Sequence, residues 1–351
     1  MCINKVKMII AHPVLWVCLF CLTACSSEGD SPRDLTYEFK KPSNFPEPTY
    51  TFDNNTITKE GFLLGRKLFF DPKLSRDGSV SCNNCHQQSK AFADSEQHPV
   101  SVGIDDLLGI RNAPSLTNLA FFKEFFWDGG VTHLDFVPIN AIESEVEMDE
   151  DLANLVRKLK NDSEYPELFL QAFGTEEVTS PYILHSLSQF TLMMVSSNSA
   201  YDKYVRNEGQ ILSETEIAGL ELFKQKCSSC HSGELFTDFT YRNNGLDSEF
   251  TDTGRARITE SRQDEGKFRV PSLRNVELTS PYMHDGRFKT LEAVLDHYSE
   301  GVVISPTLDE ELKGNTSLGI SMNEDEKSKI IAFLRTLTDR EFISDSKFHN
   351  R

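Results

Sequence analysis

The chain has 351 residues, with 54 acidic against 36 basic side chains and a formal charge of −18 at pH 7. That length accommodates two modest domains, each able to bury a core. A surface this acidic argues against nucleic acid or anionic lipid as a partner and suits a basic protein.

Lys5 and Lys7 precede an apolar stretch from Met8 to Leu22, which reads as an export leader too short to span a bilayer comfortably. It ends in Leu22-Thr23-Ala24-Cys25, similar to the bacterial lipobox, in which the Cys becomes the first mature residue and carries lipid. An ordinary signal peptide, or a short anchor helix with an incidental Cys, is the alternative. The expected layout is a leader over 1–24, lipidation at Cys25 and a polar flexible tether over 25–50. The protein would then sit on the periplasmic side of the envelope and touch the membrane through its lipid alone. Loss of the leader takes the charge to −20 and removes Cys2, Cys18 and Cys21. Apart from Cys25, the remaining cysteines all lie in two short runs, so none is left for a disulfide outside them.

In chain order, 60–75 has helical apolar spacing and contains Gly-x-x-Leu-Phe at Gly65 to Phe69. The first cysteine run follows as Cys82-Asn83-Asn84-Cys85-His86. Helical periodicity returns over 150–162 and 180–204, then over 213–226, where Ser213 and Glu216 stand in capping-box register. The last of these segments repeats Gly-x-x-Leu-Phe at Gly219 to Phe223 and runs into Cys227-Ser228-Ser229-Cys230-His231. A final helix is expected over 323–339, opened by Asn323 and Glu326. Half of a zinc site or a thioredoxin-like dithiol could use Cys-x-x-Cys. The zinc reading lacks a nearby second pair, and the dithiol does not require the adjoining His. Cys-x-x-Cys-His is the c-type haem attachment pattern, with two thioethers on the porphyrin and an imidazole under the iron. The expectation is an all-α protein of two cytochrome c-like domains, 51–205 and 206–345. Each would carry one covalently bound c-type haem, with His86 and His231 as proximal ligands.

Together with these runs, "RNAPSLTN" (111–118), "FFWDGG" (125–130), "VEM" (146–148), "VPSLRN" (270–275) and "PYMHDGRFKTLEAV" (281–294) resemble the bacterial di-haem cytochrome c peroxidases and their relatives that oxidise a partner protein. The resemblance runs from about residue 55 to about residue 340. It implies hydrogen peroxide reduction at the N-terminal haem, with electrons passed through the C-terminal haem from a donor such as a small cytochrome or cupredoxin. A homodimer is compatible with it. Glu147 matches the family's distal acid-base glutamate, and Trp127 the tryptophan that relays electrons between the haems. Asn112, Thr279 and Pro281 match the ligands of one calcium ion, whose hard oxygen donors suit Ca²⁺. His284 and Arg287 would sit beside the second haem.

Three departures bear on activity. Ile104 stands where many family members place a His that blocks the first iron, which implies an open haem without reductive activation; His98 is the alternative blocking group. Tyr298 stands where a Met would ligate the second haem, and a phenolate favours ferric and higher states. Met283, His297 and Met322 remain alternative ligands. Val137 and Ala141 replace the distal Gln and Pro, leaving Glu147 with less hydrogen-bond support. Alternatives to peroxide reduction are a high-valent oxidase of a partner protein and a non-enzymatic di-haem electron carrier. Ile104 speaks against the carrier, which gains from two ligands on each iron.

Overall fold

The computed structural model describes residues 37–94, 98–314 and 317–350. The expected leader, Cys25 and the first part of the tether lie outside them. Helix α1 (Lys59–Phe70) begins at Thr58, whose hydroxyl accepts from the Gly61 N–H. α2 (Cys82–Cys85) is one turn, started by Ser81, whose N–H and hydroxyl both donate to Asn84 Oδ1. Next come α3 (Val137–Glu143), α4 (Leu152–Lys160), α5 (Tyr165–Phe173), α6 (Ser180–Leu192), α7 (Ala200–Val205) and α8 (Glu214–Lys226). Beyond them lie α9 (Ala256–Thr259), α10 (Leu291–Asp296) and α11 (Glu324–Arg335). Among the described residues, strand is confined to an antiparallel pair and isolated bridges; β1 (Tyr241–Arg242) and β2 (Phe268–Arg269) place Tyr241 opposite Arg269. The capping boxes expected at Ser213/Glu216 and Asn323/Glu326 are both formed.

Two helix pairs repeat one packing device. α1 crosses α6 at Gly65, where an added Cβ would lie 1.8 Å from the Ser186 carbonyl oxygen and 3.0 Å from Phe190 Cβ. α8 crosses α11 at Gly219, where the same atom would lie 1.9 Å from the Lys329 carbonyl oxygen and 3.0 Å from Phe333 Cβ. The shared Gly-x-x-Leu-Phe is therefore a contact surface: glycine lets the backbones touch, and Phe69 and Phe223 pack on the opposing helix. Ring centres are 5.1 Å apart for Phe69–Phe190 and 5.1 Å for Phe223–Phe333. Burying each such ring contributes roughly 1.5–3 kcal/mol.

The α1/α6 core gathers Phe62, Phe69, Phe92, Leu155, Phe169 and Phe190; the α8/α11 core gathers Phe223, Phe236, Leu295, Ile330 and Phe333. A third cluster of Phe45, Tyr50, Phe121, Phe125 and Leu235 draws on both halves of the sequence. A fully buried pair, Arg274 with Asp202, has both of its N–O contacts at 2.8 Å.

Three expectations are corrected. The periodic stretch 180–204 is not one helix: after Leu192 the chain opens so that the N–H groups of Ser197 and Asn198 reach Asp339, and Ser199 caps α7 afresh. Residues 37–50, expected within the flexible tether, are packed down by Phe39, Phe45 and Tyr50. The division at 205/206 is crossed by the C-terminal tail. Phe342 and Phe348 fill the α1/α6 core, and Gln88 donates to the carbonyls of Phe342 and Asp345.

Gly219→Ala should lose about 1–3 kcal/mol of stability, because a backbone carbonyl occupies the place of the new methyl and the helices must part. Chemical denaturation of the purified protein checks this. An unchanged midpoint would mean that the α8/α11 crossing tolerates wider spacing.

Candidate functional site

At the first Cys-x-x-Cys-His run, α2 presents Cys82 and Cys85 and His86 follows as its cap. The His86 Nδ1 lies 2.9 Å from the Phe92 carbonyl oxygen. A carbonyl only accepts, so Nδ1 carries the proton and Nε2 keeps its lone pair free for a metal. Burial holds the imidazole down to about 4, so it is neutral at physiological pH. Burial also pushes both thiols up to about 12, the signature of an apolar pocket rather than of a hydrated thiolate pair.

The loop 101–104 closes over this turn. Cys85 Sγ approaches the Val102 carbonyl at 3.9 Å, and Ile104, 1 % exposed, donates its N–H to the Glu147 carbonyl at 2.8 Å. Gly103 is pressed so close to the Val146–Glu147 backbone that a Cβ there would lie 2.2 Å from the Val146 oxygen. Ile104 and Glu147 are thereby neighbours, and the field of the Glu147 carboxylate reaches both Cys82 and Cys85. Burial raises the Glu147 carboxyl above the usual range. The surrounding acidic run is not one solvated face: Glu143 and Glu145 are exposed, whereas Asp149 pairs with Arg76 and buried Glu150 with Lys158. His98 is half-exposed, with Nδ1 4.0 Å from Asp94.

The second run starts where α8 ends, at Cys227. His231 repeats the first arrangement, with Nδ1 3.0 Å from the Phe236 carbonyl oxygen and burial lowering its basicity. A cavity opens over it, walled by Cys227, Cys230, His231, Trp127, Tyr298 and Met322 among others. Tyr298 is carried by a wide π-type turn, His297–Gly301, that continues α10; such turns re-aim side chains at functional sites. Burial pushes its phenol up to about 12. His297 is turned elsewhere: its Nε2 lies 3.0 Å from the Asn244 carbonyl, and the ring is off the cavity wall. Met283 and Met322 stay on the wall beside Tyr298, with Met283 Sδ accepting from Asn244 Nδ2 at 3.3 Å.

Trp127 lies on the same wall, and its indole N–H donates to the Asn112 carbonyl at 2.8 Å. Asn112, Thr279 and Pro281 also line this cavity. The Asn112 Nδ2 donates to the Pro99 carbonyl at 3.3 Å, which leaves its Oδ1 as the free donor atom toward a cation. Among the described residues, no group of three or more His, Cys, Asp or Glu side chains could hold a metal ion, so a calcium site here would rest on neutral oxygens. His284 stacks on Phe268 at 3.6 Å along the cavity wall. Arg287, expected beside the second haem, pairs with Asp247 and Asp285, and its charge reaches His284. Sequence reasoning passed over Arg269, which lines the cavity 8 % exposed, and Asn244, which positions His297 and Met283. A lone Arg inside the apolar "FRVP" was the available signal for the former.

The family model described as di-haem cytochrome c peroxidase matches residues 59–210. The methylamine utilization protein MauG of Methylorubrum extorquens is 33 % identical over 354 aligned positions, covering 94 % of this chain and 96 % of that protein. The chain belongs to the di-haem cytochrome c peroxidase family. The cytochrome c551 peroxidase of Nitrosomonas europaea is 34 % identical, over 78 % of this chain and 79 % of its own length. The crystal structure of a MauG-like protein associated with microbial copper homeostasis superposes with a TM-score of 0.79 at 32 % identity, covering 89 % of this chain and 98 % of that one.

The family implies c-type haems, and the residues fit them. Each run offers two thiols and an imidazole whose Nδ1 is held by a backbone carbonyl, and the second faces a cavity. Replacing Cys227 and Cys230 together by Ser should halve the covalently bound haem per chain and leave the rest on Cys82 and Cys85. Mass spectrometry and the pyridine haemochrome spectrum measure both quantities. Loss of both haems, or of neither, would contradict independent attachment.

Proposed function

We propose that the protein is a di-haem peroxidase that reduces hydrogen peroxide to water at the site of His86, with electrons delivered through the site of His231. The carrying observation is the pairing of buried Ile104 with Glu147 beside Cys82 and Cys85. The first haem, when bound, supplies the iron that takes up and reduces peroxide. An isoleucine has no ligand atom, so the loop would exclude water from the site without supplying a group that blocks the iron. Glu147 removes a proton from the near oxygen of peroxide and returns it to the far one, the task for which a raised carboxyl is suited. Trp127 carries charge between the two sites. Asn112, with the carbonyls of Thr279 and Pro281, holds one Ca²⁺ that ties the two halves together. Export and lipidation at Cys25 place the enzyme at the periplasmic face of the envelope, where its acidic surface suits a small basic cytochrome or cupredoxin as donor.

Tyr298 on the wall of the second cavity favours a second reading, oxidation of a partner protein. Tyr298 would offer a haem held at Cys227, Cys230 and His231 a hard oxygen donor, which favours oxidised states of the iron and suits the oxidation of a slow protein substrate.

Glu147→Gln should lower kcat for peroxide by about 10²–10⁴-fold with both haems still attached. In the wild type, turnover needs the carboxylate. Because burial raises the group, activity should fall as pH drops through a value above the ordinary glutamate range. Steady-state rates against pH check this, and intact turnover in the variant removes Glu147 from the reaction.

Rapid mixing of the resting oxidised protein with one equivalent of peroxide, without reductant, separates the branches. A fast spectral change is expected, and Tyr298→Phe should alter its second-haem component. Silence until an electron is supplied would mean that a blocking group such as His98 closes the first site.

A further inference from the structure

Three arginines reach the wall of the cavity that contains Cys227, Cys230 and His231: Arg242, Arg269 and Arg274. Two are neutralised by the protein. Arg274 is gripped through both terminal nitrogens by Asp202, and Arg242 lies between Asp238 and Asp309. Arg269 differs. It is only 8 % exposed, and its Nη1 meets no carboxylate of the described residues.

Its backbone N–H and Nε are both used by the neighbouring backbone. The backbone N–H donates to the Trp127 carbonyl at 2.8 Å, and Nε donates to the Phe126 carbonyl at 3.1 Å. The guanidinium lies 4.7 Å over the Phe122 ring. Nη1 is buried and has no hydrogen-bond partner. Glu124, whose field reaches Arg269, already accepts from Tyr241 at 2.8 Å and pairs with Arg255 at 3.2 Å. A buried guanidinium with an idle N–H is costly unless an anion completes it. A haem attached at this site brings two carboxylates into a cavity whose other arginines are already taken.

We propose that Arg269 is the seat of a haem carboxylate: its Nη1 donates to a propionate of the haem held by Cys227, Cys230 and His231, beside Trp127. This rests on haem attachment at that run. The charge-assisted bond would hold that propionate ionised and compensate its negative charge within the cavity. Burial lowers the guanidinium to about 10, so it is still cationic at neutral pH. A small soluble anion offers Arg269 the same chemistry as a propionate, and the two make different predictions.

The test uses the full-length enzyme, with the pyridine haemochrome first confirming two haems per chain, so that failed attachment is separated from a failed role for Arg269. Spectroelectrochemistry then gives the midpoint potential of the second haem against pH. In Arg269→Gln the ferrous form should be disfavoured roughly tenfold, a fall of about 59 mV for a one-electron couple. Its midpoint should also slope downward between about pH 5 and about pH 8, as the released propionate titrates. The wild type should be flat over that range and indifferent to chloride or nitrate. An unchanged midpoint and profile in the variant overturn the proposal, as does a uniform fall with no new pH dependence, which marks a remote charge. A wild-type midpoint that follows the chloride or nitrate concentration also overturns it, by assigning the site to a soluble anion. Should Arg269→Gln fail to hold both haems, the propionate bending band in the resonance Raman spectrum of Arg269→Lys decides. A shift from wild type supports the contact, and an unshifted band overturns it.

Discussion

A single hydrogen bond, made twice, joins the cores of this protein to its chemistry. Each candidate ligand histidine gives its Nδ1 proton to the carbonyl of a phenylalanine a few residues on, at 2.9 Å for His86 with Phe92 and 3.0 Å for His231 with Phe236. Both phenylalanines are left-handed, with φ of 58° and 52°. That conformation is costly for a residue with a side chain and persists only where packing enforces it. Packing does so here: the Phe92 ring lies 5.9 Å from Phe69, and Phe236 lies 5.7 Å from Phe223. The tautomer of the ligand is thus set by the core. Loosening the α1/α6 or α8/α11 crossing would free the ring, relax the strained backbone and withdraw the acceptor that keeps Nε2 available.

Much of this was legible in the sequence because it is local. Cys-x-x-Cys-His, the capping boxes at Ser213 and Asn323 and the repeated Gly-x-x-Leu-Phe all depend on neighbours within a turn or two. What escaped depends on distant partners. Nothing within 180–204 says that Asp339 will pull the N–H groups of Ser197 and Asn198 out of a helix, and nothing in 37–50 says that Phe45 will find Phe121. Periodicity reports which face is apolar, not what covers it. The same limit applies to Arg287 and Arg269. The ion pair of the first with Asp247 and the unpartnered Nη1 of the second are both set by residues distant in the chain.

The two halves share a scaffold but diverge where it meets the ligand position. At the first run the covering loop contributes Ile104, tied by its backbone to Glu147. At the second, a π-type turn contributes Tyr298. The side chains differ in what they can give an iron, nothing in one case and a hard oxygen in the other. The supporting geometry differs as well: Gly103 leaves the first loop no room to move inward, whereas the second cavity has space beside Met283 and Met322. The two runs supply equivalent histidines, and unequal covering segments make the sites inequivalent.

Charge is arranged in opposition between surface and interior. The chain carries a formal −18, yet Arg242, Arg269 and Arg274 line the wall of the second cavity. Carboxylates of the protein neutralise two of these cations, so the surplus inside the site is small and local while the acidic field outside is long-ranged. A basic donor would be drawn to the exterior, where screening and water keep the attraction weak and reversible. Inside, with little water to compete, the Arg269 guanidinium beside the Trp127 backbone would attract an anionic group strongly. On the proposed function, docking and redox tuning would fall to separate charge populations, so that a change at the surface would alter recognition without disturbing the second cavity.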